Sequence, residues 1–301
     1  MIETQYITVG ELNFTVDVAG EPSSPAVIML HGFPQSRHSW SPMAGMLASH
    51  GFRAIAPDQR GYSPGARPTD VSDYHTDHLI RDVVALADAF DIDRFHLVGH
   101  DWGGQIAWLT ATQHSERLLS LTVLSRPHPA AFAQAMERDA AQANRSRHHK
   151  AFQDQDMASK LLAEGAKAVR NTLCFENAQG LFGKEATQGP LKRRMSDAMA
   201  DQHLSVLGTE QAMNAALNWY RSAFAGGSTL AIADVPPVTV PTLYLWGNED
   251  MSVGKIAATL TADQVHALYT FETIDGAGHF LAEEDADAVN RHVLRHLKTQ
   301  H

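Results

Sequence analysis

Short apolar runs separated by amphipathic helical stretches are the strongest constraint on how this chain can fold. The runs "AVIML" (26–30), "FRAIAP" (52–57), "RFHLVG" (94–99) and "SLTVLS" (120–125) are continuous rather than alternating. Runs of this kind suit strands buried on both faces. Between them, "HTDHLIRDVVALADAF" (75–90) sets Leu79, Val83, Leu86 and Phe90 at spacings of three and four, and "GGQIAWLTATQHSERL" (103–118) reads as a second helix. Strands alternating with helices imply a parallel sheet with right-handed crossovers. Ahead of them, "QYITVGELNFTVDV" alternates around Gly10 and predicts a hairpin.

The rhythm breaks after Pro127. From about 130 to 232 the chain is helix-like, with no convincing strand, and closes on the Gly- and Pro-rich "AFAGGSTLAIADVPPVTV". The sheet pattern then resumes with "TLYLWG" (242–247), a helix near 253–264, "LYTFETID" (268–275) and a last helix "ADAVNRHVLRHL" (286–297). The expected organisation is a core in two parts, 1–129 and 233–301, with a helical cap inserted at 130–232. A length of 301 residues accommodates that core without disulfides. The single Cys174 forms no internal bridge and reads as a small buried apolar residue. With 24 Lys and Arg against 34 Asp and Glu, the formal charge of −10 argues against a nucleic-acid surface or an anionic membrane. The start "MIETQYITVG" lacks a basic n-region and an apolar h-region, and no apolar run approaches a membrane span. A cytoplasmic protein is the expectation.

Four short stretches follow predicted strands, where open α/β sheets place their sites. They are "HGFP" (31–34), "GHDWGG" (99–104), "WGNED" (246–250) and "GAGHF" (276–280). Taken singly, each has a plain structural role: Asp101 as a helix N-cap, Asp250 as a turn residue, His279 as one of 17 histidines. Together, and in the order Asp101, Asp250, His279, they match a nucleophile, an acid and a histidine.

With "HGFPQSRHSW", "DQRGY", "GHDWGGQIAW" and "LNWYR", the chain resembles the epoxide hydrolases of the α/β-hydrolase superfamily, in its Asp-nucleophile branch. The resemblance spans residues 31 to 279. It implies an α/β-hydrolase fold: a mostly parallel twisted sheet flanked by helices, with the helical cap inserted. It also implies a two-step hydrolysis without metal or other cofactor. The partners it implies are a small apolar epoxide and water. A homodimer is compatible with it.

An aspartate suits that chemistry. A serine needs a base before it can attack, whereas a carboxylate with a pKa of about 4 is already ionised at neutral pH. The N-terminus of the helix beginning near Gly103 helps hold it so. The carboxylate can displace a leaving group from saturated carbon, leaving an ester on Asp101. Water activated by His279, oriented by Asp250, then attacks that ester. The resemblance places the oxyanion donors at the backbone N–H groups of Phe33 and Trp102. It makes Tyr220 the phenol that protonates the opening ring, with His148 where a second cap tyrosine is usual. Phe33, Trp102, Phe152 and Trp219 are the expected apolar pocket wall.

Haloalkane and haloacetate dehalogenases share the branch. The haloacetate enzymes carry Arg directly after the nucleophile and again three residues later, where this chain has Trp102 and Gln105. Many haloalkane enzymes put a polar residue where Phe33 stands. Some relatives carry the acid after the preceding strand, and there this chain has Ser125. A non-catalytic receptor on the same fold would be expected to lack Asp101 or His279. After "DQRGY" the family's usual Gly-x-Ser is replaced by "SPGARP" (63–68), expected as a loop away from the chemistry.

Overall fold

Alternate residues of each central strand point to opposite faces, and both faces are apolar. In the computed structural model, which describes residues 1–176, 192–225 and 235–300, the chain opens with the expected hairpin, β1 (Ile2–Val9) and β2 (Leu12–Ala19). There follow β3 (Ala26–Leu30), α1 (Ser41–Ser49), β4 (Arg53–Pro57), α2 (Thr76–Ala89), β5 (Phe95–His100), α3 (Trp102–Gln113) and β6 (Leu118–Leu124). Val27 and Met29 of β3 pack with Leu47 of α1 and Val293 of the C-terminal helix, while Ile28 and Leu30 pack with Val83 of α2 and Ile106 of α3. That two-sided burial is why these strands read as continuous apolar runs.

The stretch after β6 holds α4 (Pro129–Arg138), α5 (Ala140–Arg145), α6 (His148–Ala151) and α7 (Met157–Cys174). It continues with β7 (Phe175–Glu176), β8 (Lys192–Arg193), α8 (Asp197–Leu207) and α9 (Glu210–Ala225). The chain ends through β9 (Thr242–Gly247), α10 (Lys255–Leu260), β10 (Tyr269–Ile274), α11 (Leu281–Glu284) and α12 (Ala286–Lys298). The expectation of an insertion without strands needs correction, because β7 and β8 form an antiparallel ladder of two residues each. A ladder that short carries no readable period. Helix α7 is also broken, with left-handed backbone at Glu164, Gly165 and Ala166. Helix α4 begins at Pro129, one residue before the expected boundary, and packs on α10. The other boundary, at 232, lies outside the described residues. Cys174 is buried, as expected.

The eight-stranded sheet has the order β1-β2-β4-β3-β5-β6-β9-β10, with only β1 and β2 running antiparallel to their neighbours. The order reverses between β3 and β5. Open α/β sheets place ligands at such a reversal, outside the strands' C-terminal ends. The loops after β3, β5, β9 and β10 carry "HGFP", Asp101, Asp250 and His279. No helix among the described residues is long and apolar enough to cross a membrane.

Helix α3 lies close to the sheet because Gly103 has no side chain. A Cβ there would sit 2.2 Å from the Leu30 carbonyl oxygen and 2.6 Å from that of His31. Both contacts are backbone. Gly103→Ala is therefore expected to cost about 1–3 kcal/mol by overpacking, read as a lower midpoint in chemical denaturation. An unchanged midpoint would show that α3 can shift at no cost.

Candidate active site

Asp101 sits between β5 and α3 with φ +51° and ψ −117°, a left-handed conformation unusual for a residue with a Cβ. The turn closes through the Gln105 N–H donating to the Asp101 carbonyl at 2.9 Å. It also needs Gly32, where a Cβ would fall 2.4 Å from Asp101 Cβ. The carboxylate is mostly buried and its Oδ1 accepts the Phe33 N–H at 3.0 Å. The bond from Trp102 N–H, the second expected donor, is not formed in this structure.

His279 joins Asp101 to Asp250. Its Nε2 lies 3.5 Å from Asp101 Oδ2, and its Nδ1 lies 3.0 and 3.1 Å from the two Asp250 oxygens. Burial alone would discharge the imidazole, but the adjacent carboxylates outweigh it and push its pKa up to about 10. Burial would likewise raise Asp101, yet the hydrogen bond and charge of His279, with lesser help from His100 and the Phe33 N–H, hold it well below the usual carboxylate range. Asp250 is lowered against its burial by His279, Ser125 and the Ser252 N–H. The three groups form a buried minus–plus–minus array.

The surrounding backbone is fixed from several sides. Ser125, after β6, donates to Asp250 Oδ2 at 2.5 Å, and its Oγ lies 2.8 Å from His279 Nδ1. The N–H groups of Ser252 and Val253 donate to Asp250 Oδ1 at 2.7 and 2.9 Å. His100 Nε2 donates to the His279 carbonyl at 2.7 Å. Glu284 takes the N–H groups on either side of His279, those of Gly278 at 2.6 Å and Phe280 at 3.0 Å. Arg194, from the segment joining β8 to α8, places its Nε 3.6 Å from Glu284, with both side chains buried. In "HGFP", His31 Nε2 accepts the Gln59 N–H, and the Gln59 amide donates back to the His31 carbonyl at 2.6 Å.

Aromatic rings from the inserted helices gather over this array. Tyr220 on α9 is buried, with ring centroids of Phe152 at 4.9 Å, Trp102 at 5.1 Å and Phe33 at 5.6 Å. Burial first, then the Asp101 charge, pushes its phenol far above its ordinary value, with the adjacent Trp102 acting weakly in the opposite direction. His148 on α6 is 6.3 Å from the Tyr220 ring, and burial brings it down to about 4. Its Nδ1 faces the Arg145 carbonyl at 3.1 Å. A carbonyl only accepts, so Nδ1 carries the proton and Nε2 is an acceptor at neutral pH. Trp219 stands beside one of Tyr220's neighbours. It packs behind Trp102 at 5.7 Å and donates to the Arg60 carbonyl at 2.8 Å, fastening α9 to the sheet domain. Among the described residues, no group of three or more His, Cys, Asp or Glu could hold a metal ion.

A sequence model of the alpha/beta hydrolase fold matches residues 25–286. The chain belongs to the α/β-hydrolase family. This α/β-hydrolase is 30% identical to mouse epoxide hydrolase 4 over 96% of its own length and 77% of the relative's. It is 29% identical to epoxide hydrolase A of Mycobacterium tuberculosis (strain ATCC 25618 / H37Rv), over 93% and 92% of the two chains. A solved epoxide hydrolase structure from hot-environment metagenomes superposes with a TM-score of 0.80 at 28% identity, covering 99% of both chains.

The structure of this α/β-hydrolase adds groups that the sequence motifs did not mark. Ser125 was visible only as the occupant of the alternative acid position. Glu284 follows His279 by five residues, a spacing that marks a loop clamp only once α11 is seen. His149 lies as near to Tyr220 as Phe33 does, at 5.6 Å. The "SPGARP" loop touches the inserted helices, through Arg67 donating to the Val206 carbonyl at 3.0 Å.

The array makes a titration prediction. His279 stabilises the fold fully below the ordinary histidine pKa of about 6.5, and that contribution is lost as pH rises through about 10. Asp101→Asn removes one of the two anions, so the His279 midpoint should fall by about 1–3 units in an NMR titration. An unmoved midpoint would mean that Asp250 alone holds the proton.

Proposed function

We propose that this α/β-hydrolase opens an apolar epoxide to a vicinal diol through an ester on Asp101. The observation that carries the reading is the ionised Asp101 carboxylate, held in the strained turn with His279 Nε2 3.5 Å away. The relatives named epoxide hydrolase support it. The rings of Phe33, Trp102 and Phe152 around Tyr220 favour an apolar substrate body.

In the first step Asp101 Oδ2 attacks a ring carbon. Oδ1, already bound to the Phe33 N–H, becomes the ester carbonyl. The ring C–O bond breaks, its electron pair stays on oxygen, and that oxygen takes the Tyr220 proton. A buried phenolate is strongly basic and recovers a proton at once. Esterification also erases the charge of Asp101. His279 then has one anionic partner instead of two and becomes acidic enough to release the proton that the opened oxygen requires.

Neutral His279 is now a base. It takes a proton from water, the hydroxide adds to the Asp101 carbonyl, and the developing charge on Oδ1 meets the Phe33 N–H. The Trp102 N–H engages as the second donor at this stage. Collapse releases the diol and restores both the Asp101 anion and the His279 cation. His148, with its proton on Nδ1, positions its neighbours in this scheme and does not donate to the ring oxygen.

Two experiments test the scheme. His279→Gln should accumulate the ester, so intact-protein mass spectrometry after incubation with styrene oxide should show one added substrate mass on Asp101. An unmodified protein after long incubation would rule out the two-step route. Tyr220→Phe should slow ester formation by about 10²-fold or more while changing ester hydrolysis far less, as resolved by single-turnover kinetics. Equal slowing of both steps would reduce Tyr220 to packing.

A further inference from the structure

One charged group beside the array has no part in that chemistry. Arg126 follows Ser125 at the end of β6 and is half-buried. Its carbonyl is held by the Trp108 indole N–H at 2.9 Å, and its guanidinium carbon lies 4.1 Å from the centroid of the Phe132 ring on α4. Its Nε donates to the Gln105 side-chain oxygen at 3.0 Å. A guanidinium has no acceptor, so the Gln105 oxygen must face it and the Gln105 NH2 points elsewhere. Among the described residues, no carboxylate pairs with Arg126, and its two terminal nitrogens make no hydrogen bond.

A half-buried arginine gains from an anionic partner, because a charge partly removed from water is costly to leave uncompensated. Asp101 does not fill that place, since its own partner is His279. Arg126 nevertheless borders the same site: the Phe132 ring it lies over is 6.3 Å from the His149 ring, which is 5.6 Å from Tyr220. Both histidines are neutral at pH 7, lowered chiefly by burial, which leaves Arg126 as the cation there that no carboxylate matches.

We propose that Arg126, held through its Nε by the Gln105 side-chain oxygen, anchors a carboxylate on the substrate. The preferred epoxide is then an acid, with its apolar body among Phe33, Trp102 and Phe152 and its charge at Arg126. The planar fork of donors suits a carboxylate bound through both oxygens. This inference rests on the epoxide reading for its reaction, but the anchor can be tested without turnover.

The probe is 4-ethylbenzoate, an unreactive acid of the size of styrene oxide bearing a para-carboxylate. Calorimetry should show it binding the wild-type protein, more weakly by at least about ten-fold in Arg126→Gln, and with part of the loss recovered in Arg126→Lys. Thermal melts of both variants confirm folding. Failure to bind, or equal binding by wild type and Arg126→Gln, would overturn the anchor. In turnover, wild type should prefer 4-carboxystyrene oxide to styrene oxide, and Arg126→Gln should lose that preference mainly through KM. Diol from styrene oxide with no preference for the acid overturns the anchor alone. No diol from either epoxide, with 4-ethylbenzoate still bound through Arg126, overturns the epoxide reading alone.

Discussion

A carboxylate carried at positive φ needs its surroundings to hold it, and much of this fold does so. A side chain in that backbone region costs about 1–3 kcal/mol. The cost is met by β3 and β6 pairing on both sides of β5, and by α3 packing through Gly103 onto the end of β3. The strain aims Asp101 away from the sheet, at the reversal of strand order. There the loop after β3 offers the Phe33 N–H to one oxygen, and the loop after β10 brings His279 to the other. The two oxygens thereby have different surroundings before any substrate arrives. In the proposed cycle that difference decides which oxygen attacks and which becomes the carbonyl.

Electrostatics then set the order of events. Two carboxylates around one imidazole keep His279 charged and Asp101 ionised, which suits a nucleophile and not a base. Alkylation of Asp101 would reverse the balance without any movement of the protein. Ser125 shares Asp250's hold on His279 Nδ1. The loops after β6 and β9 therefore converge on the same nitrogen, a physical reason why an acid could be carried on either. With a hydroxyl after β6, the array keeps a single surplus negative charge. A second acid there would bind the imidazolium proton more tightly and resist its release.

The α/β alternation, the strand positions to within a residue or two, and the clustering of Asp101, Asp250 and His279 were legible because two-sided burial and strand-end placement leave local marks. Trp219, expected in the pocket wall, also ties α9 to the sheet domain, a role that a buried aromatic on a helix does not reveal in sequence. Its indole bond to Arg60 depends on a residue far away in sequence. His148 was recognised as a neighbour of Tyr220, but its protonation turns on the carbonyl of Arg145, a backbone atom that no motif records. Glu284, Arg194 and Arg126 were invisible for the same reason. Each owes its setting to long-range partners or to the lack of one.

Those long-range partners join the inserted segment to the loops bearing the acid and the histidine. Arg145 donates to the Asp250 carbonyl at 2.8 Å, and Gln142 donates to the Ser252 carbonyl and accepts the Gly254 N–H, both at 2.8 Å. Arg194 faces Glu284, and buried His203 of α8 sits 3.7 Å from Glu283 while bonding Ser36 at 2.9 Å. The helices that bring Tyr220 and Phe152 to the site are thus continuous with contacts that orient Asp250 and His279. In the proposed cycle, a substitution in them would alter the substrate's surroundings and the geometry of ester hydrolysis together. Selectivity and the second step of that proposed cycle should therefore be coupled through this segment, most strongly at α5 and around Arg194, where the bonds reach the loops bearing Asp250 and His279 directly.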